Sequence, residues 1–135
     1  TDAGIYSIPL LIFDTTKSEG KMIEKTLQQI DILPTILQNL HYDLPYFAFG
    51  NAIDDINLSY AVSFNGQYYQ LITDKYCLQF DGEKVIALFD WAKDYLMKKN
   101  LIENSNVEYK KEETLLKAII QTYNNCLIEN KMTLH

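Results

Sequence analysis

The chain has 135 residues, 47% of them apolar and 22% charged, with a net charge of −6. That composition belongs to a folded globular protein rather than a disordered segment, and the length suffices to bury a sizeable core. The acidic balance lacks the basic footprint that a nucleic-acid backbone requires, no apolar run reaches the length of a membrane span, and Thr1-Asp2-Ala3-Gly4 does not open a signal peptide.

Taken in order, the chain begins abruptly with Ser7-Ile8-Pro9-Leu10-Leu11-Ile12-Phe13-Asp14, an apolar run without alternation. Such a run suits a strand over residues 8–13 covered on both faces, as in a parallel or mixed sheet. Nothing later looks like its parallel neighbours, so the chain is expected to be a piece of something longer. Asp14 to Gly20 reads as a polar loop. Lys21 to Gln28 fits either a short helix, with Ile23 and Leu27 at helical spacing, or an extended segment.

Gln29-Ile30-Asp31-Ile32-Leu33-Pro34-Thr35-Ile36-Leu37 reads as a helix entry. Asp31 is placed to cap by accepting from the Leu33 N–H, and Pro34 falls in the first turn, where its missing donor costs nothing. Ile32, Ile36 and Leu40, flanked by Leu33 and Leu37, form an apolar stripe that predicts a buried helix ending before Pro45. Tyr46-Phe47-Ala48-Phe49-Gly50 is an apolar loop cluster. Asn51 to Asn57 is polar, with adjacent Asp54 and Asp55.

From Ser59 the period changes to two. Tyr60, Val62 and Phe64 alternate with smaller or polar residues and run into Asn65-Gly66, a strong signal for a type I′ hairpin turn. Turn residues at Asp74-Lys75 and at Asp81-Gly82-Glu83-Lys84 then divide Gln67–Thr73, Tyr76–Phe80 and Val85–Phe89, which predicts a four-stranded antiparallel meander. Asp90 to Lys99 fits a short helix or a turn-rich link, and Asn100 to Lys111 a loop. From about Glu112 to Lys131 Leu115, Leu116, Ile119, Ile120, Tyr123, Cys126 and Leu127 recur with helical spacing. That helix should pack across one face of the meander, with Glu112 and Glu113 at its favourable N-terminal end.

Residue types able to do chemistry are scattered. His41 ends a helix and His135 ends the chain, and neither has a second ligand at metal-binding spacing. Asp54 and Asp55 fit a solvated turn. Ser7, Ser18, Ser59, Ser63 and Ser105 lack the glycines of a nucleophile elbow, and the glycines form no phosphate-cradling loop. Cys77 and Cys126 lie far apart in differently patterned segments and read as buried thiols rather than a disulfide. Asn57-Leu58-Ser59 is a formal glycosylation acceptor. Tyr60, Tyr68, Tyr69 and Tyr76 crowd the meander, where cross-strand packing is the ordinary use of such residues and a ligand-binding aromatic face the alternative.

In their order, Ile8-Pro9-Leu10-Leu11-Ile12-Phe13-Asp14, Gln29 to Leu37 and Phe47-Ala48-Phe49-Gly50 resemble the C-terminal part of the sulfatase and lipoteichoic-acid-synthase branch of the alkaline phosphatase superfamily. Gly66-Gln67-Tyr68-Tyr69-Gln70-Leu71-Ile72-Thr73, Phe80-Asp81-Gly82-Glu83-Lys84 and Ala118-Ile119-Ile120-Gln121-Thr122-Tyr123-Asn124-Asn125 are similar to the terminal meander and last helix of its bacterial membrane-anchored members. Thr15 and Thr16 depart from that pattern, which commonly has Pro after the Asp. The resemblance implies an α/β fragment of an alkaline-phosphatase-like fold. Residues 1–58 would supply one sheet strand and its covering helix, and residues 59–135 a meander packed with a C-terminal helix.

In that family a metal-bound Thr, Ser or modified Cys attacks a phosphate or sulfate ester, and an Asp-His-Gly motif helps hold Mn, Mg, Zn or Ca. No Asp-His-Gly occurs here, so no catalytic, cofactor-binding or metal residue is carried over. The resemblance therefore implies a non-catalytic C-terminal region, with no cofactor of its own, of a membrane-anchored sulfatase or phosphoglycerol-transferase-like enzyme outside the cytoplasm. Its partner would be the upstream catalytic part, and the chain alone would be inactive and prone to self-association. The alternative is a non-catalytic module that binds glycan or protein through the tyrosine-rich sheet.

Overall fold

The structure, a computed structural model, describes residues 7–16, 18–55, 57–103 and 107–133. Strands β1 (Tyr60–Phe64), β2 (Tyr69–Thr73), β3 (Tyr76–Phe80) and β4 (Val85–Asp90) form an open four-stranded antiparallel sheet in chain order. With helices α1 (Ile32–Asn39) and α2 (Lys110–Ile128), the architecture is mixed α/β. The predicted meander is present.

Period-two alternation explains the packing. Val62 pairs with Leu71, Leu71 with Leu78, and Leu78 with Leu88, so one apolar row crosses all four strands on one face. Leu116 of α2 closes over that row, and Leu71, Leu78, Leu88 and Leu116 are fully buried. Each such side chain contributes about 1.5–3 kcal/mol on burial. The first half of α2 does this work, with Leu115 and Ile120 beside Leu116. The expected stripe does not continue to its end, since Leu127 is exposed. Glu113 is held below the ordinary carboxylate range by hydrogen bonds from Lys117 and Lys110.

Two hairpin loops share one design. Asn65 Oδ1 accepts from the Gln67 and Tyr68 amides, and Asp81 Oδ1 accepts from the Glu83 and Lys84 amides. Each first residue also donates its own N–H to the fourth residue's carbonyl, at 3.3 and 3.1 Å. Gly66 and Gly82 follow with φ of +91° and +107°, where a side chain would be strained. The β1–β2 connection is thus a four-residue Asx loop rather than a type I′ turn, because the Asn65 side chain captures the amides. Phe64 consequently pairs with Tyr69, and β2 starts two residues later than expected. Between β3 and β4 the register slips at Gln79/Phe80.

Neighbouring segments occupy both outer edges of the sheet. On β1, the Val62 N–H donates to Gln28 Oε1. On β4, Leu88 N–H donates to Asn100 Oδ1, Leu101 N–H to the Leu88 carbonyl, and Asn100 Nδ2 to the Ile86 carbonyl. Residues 91–103 are a turn-rich link rather than a helix, tied by the Trp91 indole to the Thr73 carbonyl at 3.0 Å.

The first half departs most from expectation. Residues 8–13 are not a strand: they have no regular secondary structure and are exposed throughout, Leu11 at 91%. A strand exists only where another takes its N–H and C=O groups, and among the described residues the strands pair with one another and none pairs with residues 8–13. The expected unit of one sheet strand plus covering helix is therefore not formed. Lys21 to Gln28 has no helix either. Helix α1 does form, but it buries Pro34 and Thr35 and exposes Leu33, Ile36 and Leu40. Three of the five stripe residues thus face outward, while Ile32 and Leu37 are half-buried.

Both helices end alike. His41 N–H reaches the Gln38 carbonyl and Tyr42 N–H the Leu37 carbonyl, while Asn130 and Lys131 repeat the pattern on Leu127 and Cys126. His41 and Asn130 occupy the left-handed position, with φ of +54° and +52°, that glycine usually takes.

Candidate functional site: the Asp31 junction

A buried polar constellation surrounds Asp31, which is 3% exposed. A 3₁₀ turn over Gln29–Asp31 runs directly into α1. Asp31 Oδ2 accepts from the Gln28 N–H at 2.8 Å, and Oδ1 from the Asn51 N–H at 3.0 Å. Its carbonyl accepts from Thr35 Oγ at 2.6 Å, and that hydroxyl accepts in turn from the Ile53 N–H at 3.1 Å. Both buried side chains hold backbone groups of the loop that follows the helix, twenty residues along the chain in the case of Asn51.

Asp31 is therefore not the predicted cap bonded to Leu33. Its own backbone is already right-handed helical (φ −80°, ψ −12°), unlike the extended conformation that aims a capping side chain at the first turn. The turn itself serves the helix start, since the Asp31 and Ile32 amides reach the Gln28 and Gln29 carbonyls.

Gly50 completes the junction. A Cβ there would lie 2.1 Å from the Ile30 carbonyl oxygen, so any side chain would force the two segments apart. Outside the junction, Gln38 Nε2 donates to Asp55 Oδ2. A second, more exposed tie joins this half to the sheet. Asp74 Oδ1 accepts from Thr26 Oγ at 2.9 Å and from Ser59 Oγ at 3.0 Å, and Ser59 also donates to the Thr26 carbonyl. The Tyr60 phenol is raised above its ordinary value by burial and then by the charge of Asp31. Phe49 meets Tyr123 of α2, ring centres 5.3 Å apart.

The other candidates lie apart. His41 is exposed at the end of α1, and Asp54 and Asp55 sit in a 3₁₀ turn over Ile53–Asp55. Ser59 belongs to the Asp74 tie, Ser63 lies in β1, and Ser7 and Ser18 are exposed. His135 and Ser105 fall outside the described residues. Cys77 is buried and Cys126 half-buried, with no disulfide between them. Tyr60, Tyr69 and Tyr76 are half-buried and pack against the core, the Tyr69 and Phe64 ring centres lie 4.6 Å apart, and Tyr68 is half-buried beside them in the chain. Among the described residues no group of three or more His, Cys, Asp or Glu is placed to hold a metal ion. No helix among them is long and apolar enough to cross a membrane.

Sequence reasoning missed Thr35, Gly50 and Asn51 as parts of one constellation. Pro34-Thr35 and Phe49-Gly50 are visible as motifs, but only the fold sets Gly50 against Ile30 and the Ile53 amide on the Thr35 hydroxyl. No family model, curated protein or solved structure matches the chain.

Proposed function

We propose that this chain is the non-catalytic C-terminal region of a membrane-anchored, metal-dependent sulfatase or phosphoglycerol-transferase-like enzyme that acts on sulfate or phosphate esters outside the cytoplasm. The observation that carries the reading is the Asp31 junction. The two stretches most like that family, Gln29 to Leu37 and Phe47 to Gly50, are held against each other by the Gly50–Ile30 approach and by Asp31 on Asn51. Their reactive residue types serve architecture: both Asp31 oxygens accept backbone amides, and the Thr35 hydroxyl both donates and accepts. A nucleophile or metal ligand needs lone pairs aimed at open space. In this reading the metal and the nucleophile belong to the upstream part of the polypeptide, and this region supports them.

The test is the encoding gene together with an assay. An Asp-His-Gly motif and a Thr, Ser or modifiable Cys nucleophile should precede this segment. The whole polypeptide should turn over a nitrophenyl phosphate or sulfate in a metal-dependent way, and residues 1–135 alone should not. Turnover by the isolated chain that vanishes on substituting one of its own residues contradicts the proposal.

A further inference from the structure

The two four-residue hairpin loops differ at their first residue. Asn65 opens one and Asp81 the other, and a glycine follows in both. Of the chain's asparagines only Asn65 precedes a glycine. In every other Asn-X pair a side chain on X crowds the backbone nitrogen beside the amide. Asn65 and Gly66 are exposed, and a Cβ at Gly66 would meet nothing within 4 Å. Asn65 Oδ1 accepts from the Gln67 and Tyr68 amides, both at 3.0 Å. Among the described residues nothing bonds Asn65 Nδ2 or the Gly66 N–H.

We propose that Asn65 is a site of self-modification: its side-chain amide becomes a carboxylate through a cyclic imide with the Gly66 nitrogen, and the loop keeps its hydrogen bonds in the α-aspartyl product. Water is the only co-reactant. The Gly66 nitrogen gives its proton to water or hydroxide and bonds to Asn65 Cγ, and the C=O electron pair moves onto Oδ1. Charge thus develops on the oxygen that already faces two backbone donors, an arrangement that lowers such a barrier. As the carbonyl re-forms, the Cγ–Nδ2 bond breaks and Nδ2 leaves as ammonia with a proton from water. Water then opens the five-membered imide. Breaking the bond between Cγ and the Gly66 nitrogen restores the main chain with an aspartate at position 65. Breaking the other bond to that nitrogen routes the main chain through Cγ, one methylene longer.

The second loop shows that the first product fits. Asp81 Oδ1 accepts from the Glu83 and Lys84 amides at 2.8 Å, and the Asp81 N–H closes on the Lys84 carbonyl as Asn65 does on Tyr68. Asp81 itself is a poor electrophile, because a carboxylate must gain a proton before its oxygen can leave. The Lys84 and Glu83 amides keep it ionised. Asn65 is therefore the reacting member of the pair. The lengthened product changes the span between Phe64 and Tyr69, which pair directly across β1 and β2.

Peptide mapping by mass spectrometry, through a long incubation of the folded chain at neutral and alkaline pH, tests it. Asn65 should convert ahead of every other asparagine, releasing one ammonia each time. Its rate should rise about tenfold per pH unit, as for a step that starts with loss of a proton. Asp81→Asn sets the same dipeptide in the same loop and should gain conversion at its own position. Ala52→Gly supplies the dipeptide after Asn51, whose side-chain oxygen faces no such pair of amides, and conversion there should be at least about tenfold slower than at Asn65. Asn65→Asp should leave amide exchange in β1 and β2 unchanged, whereas Asn65→Ala should speed it. An Asn65 that persists, or that converts no faster than Asn51 in Ala52→Gly, overturns the proposal. So does an Asp81→Asn chain that stays unconverted at that position, or faster exchange in β1 and β2 on Asn65→Asp.

Discussion

The two halves of this chain keep their structure by different means. Residues 59–133 close around Leu71, Leu78, Leu88 and Leu116, an apolar row under a helix. Residues 7–55 bury Asp31, Pro34, Thr35, Ala52 and Ile53, and leave Leu11, Phe13 and Leu40 at 91, 85 and 71% exposure. The ties between the halves are mostly polar: Gln28 to Val62, and Thr26 to Asp74 and Ser59. Secondary structure thus persists where a hydrophobic layer is complete. Where the layer is missing, a buried hydrogen-bond network holds one short helix and the apolar run beyond it finds no partner.

The largest effect should come from the closed half. Leu78→Ala removes a fully buried side chain at the centre of the sheet and should cost about 2–5 kcal/mol, read as a lower denaturation midpoint. A variant within 0.5 kcal/mol of the parent, roughly the range of ordinary surface changes, would deny that this row is the core.

Gly50→Ala tests the open half. The added methyl meets the Ile30 carbonyl, and relief by backbone movement should cost about 1–3 kcal/mol. The amides of Asn51 and Ile53 should lose exchange protection while those of β2 and β3 keep theirs. Equal loss in both halves would show that the two form one cooperative unit.

Asp31→Ala leaves the Gln28 and Asn51 amides without acceptors and should cost about 1–3 kcal/mol. Asp31→Asn retains one acceptor and should lose less. Identical losses would mean that the second amide does not depend on the carboxylate.

How much of this was legible differs by half for the same reason. Tyr60, Val62 and Phe64 announce β1 because alternation is local, and the loops at Asn65-Gly66 and Asp81-Gly82 are local too. The type of the first loop was not legible, since it depends on which amides the Asn65 oxygen reaches. Residues 8–13 have the composition of a strand, but strand formation requires a neighbour, and composition says nothing of whether one is present. The α1 stripe is legible as a helical pattern, but Leu33, Ile36 and Leu40 are exposed because periodicity does not say what lies against a helix. The sequence pattern points Asp31 at the Leu33 amide, whereas its oxygens accept from Gln28 and from Asn51, and the second relation is one that only the fold creates.

The smallest effect concerns the twin loops. The Lys84 and Glu83 amides hold the Asp81 carboxyl below its ordinary value. A lowered folded-state value stabilises the loop fully above the unfolded Asp value and loses that contribution as pH falls through the lowered one. Asp81→Asn should keep the loop, as Asn65 does in its counterpart, and remove this part of the acid sensitivity. An unchanged dependence of stability on acidic pH would place the titration elsewhere.

The central claim is that one half is closed by an apolar layer and the other leaves its apolar run and one side of α1 uncovered. Sedimentation of residues 1–135 over a wide concentration range tests it most directly. Burial of apolar surface at about 25 cal/mol per Å² gives the uncovered run and the α1 face a strong drive to associate. The account predicts association that grows with concentration and is weakened by Leu11→Asp, a change at a residue 91% exposed that leaves the sheet and α2 intact. A strict monomer at every concentration, with residues 8–13 protected within their own chain, would contradict it.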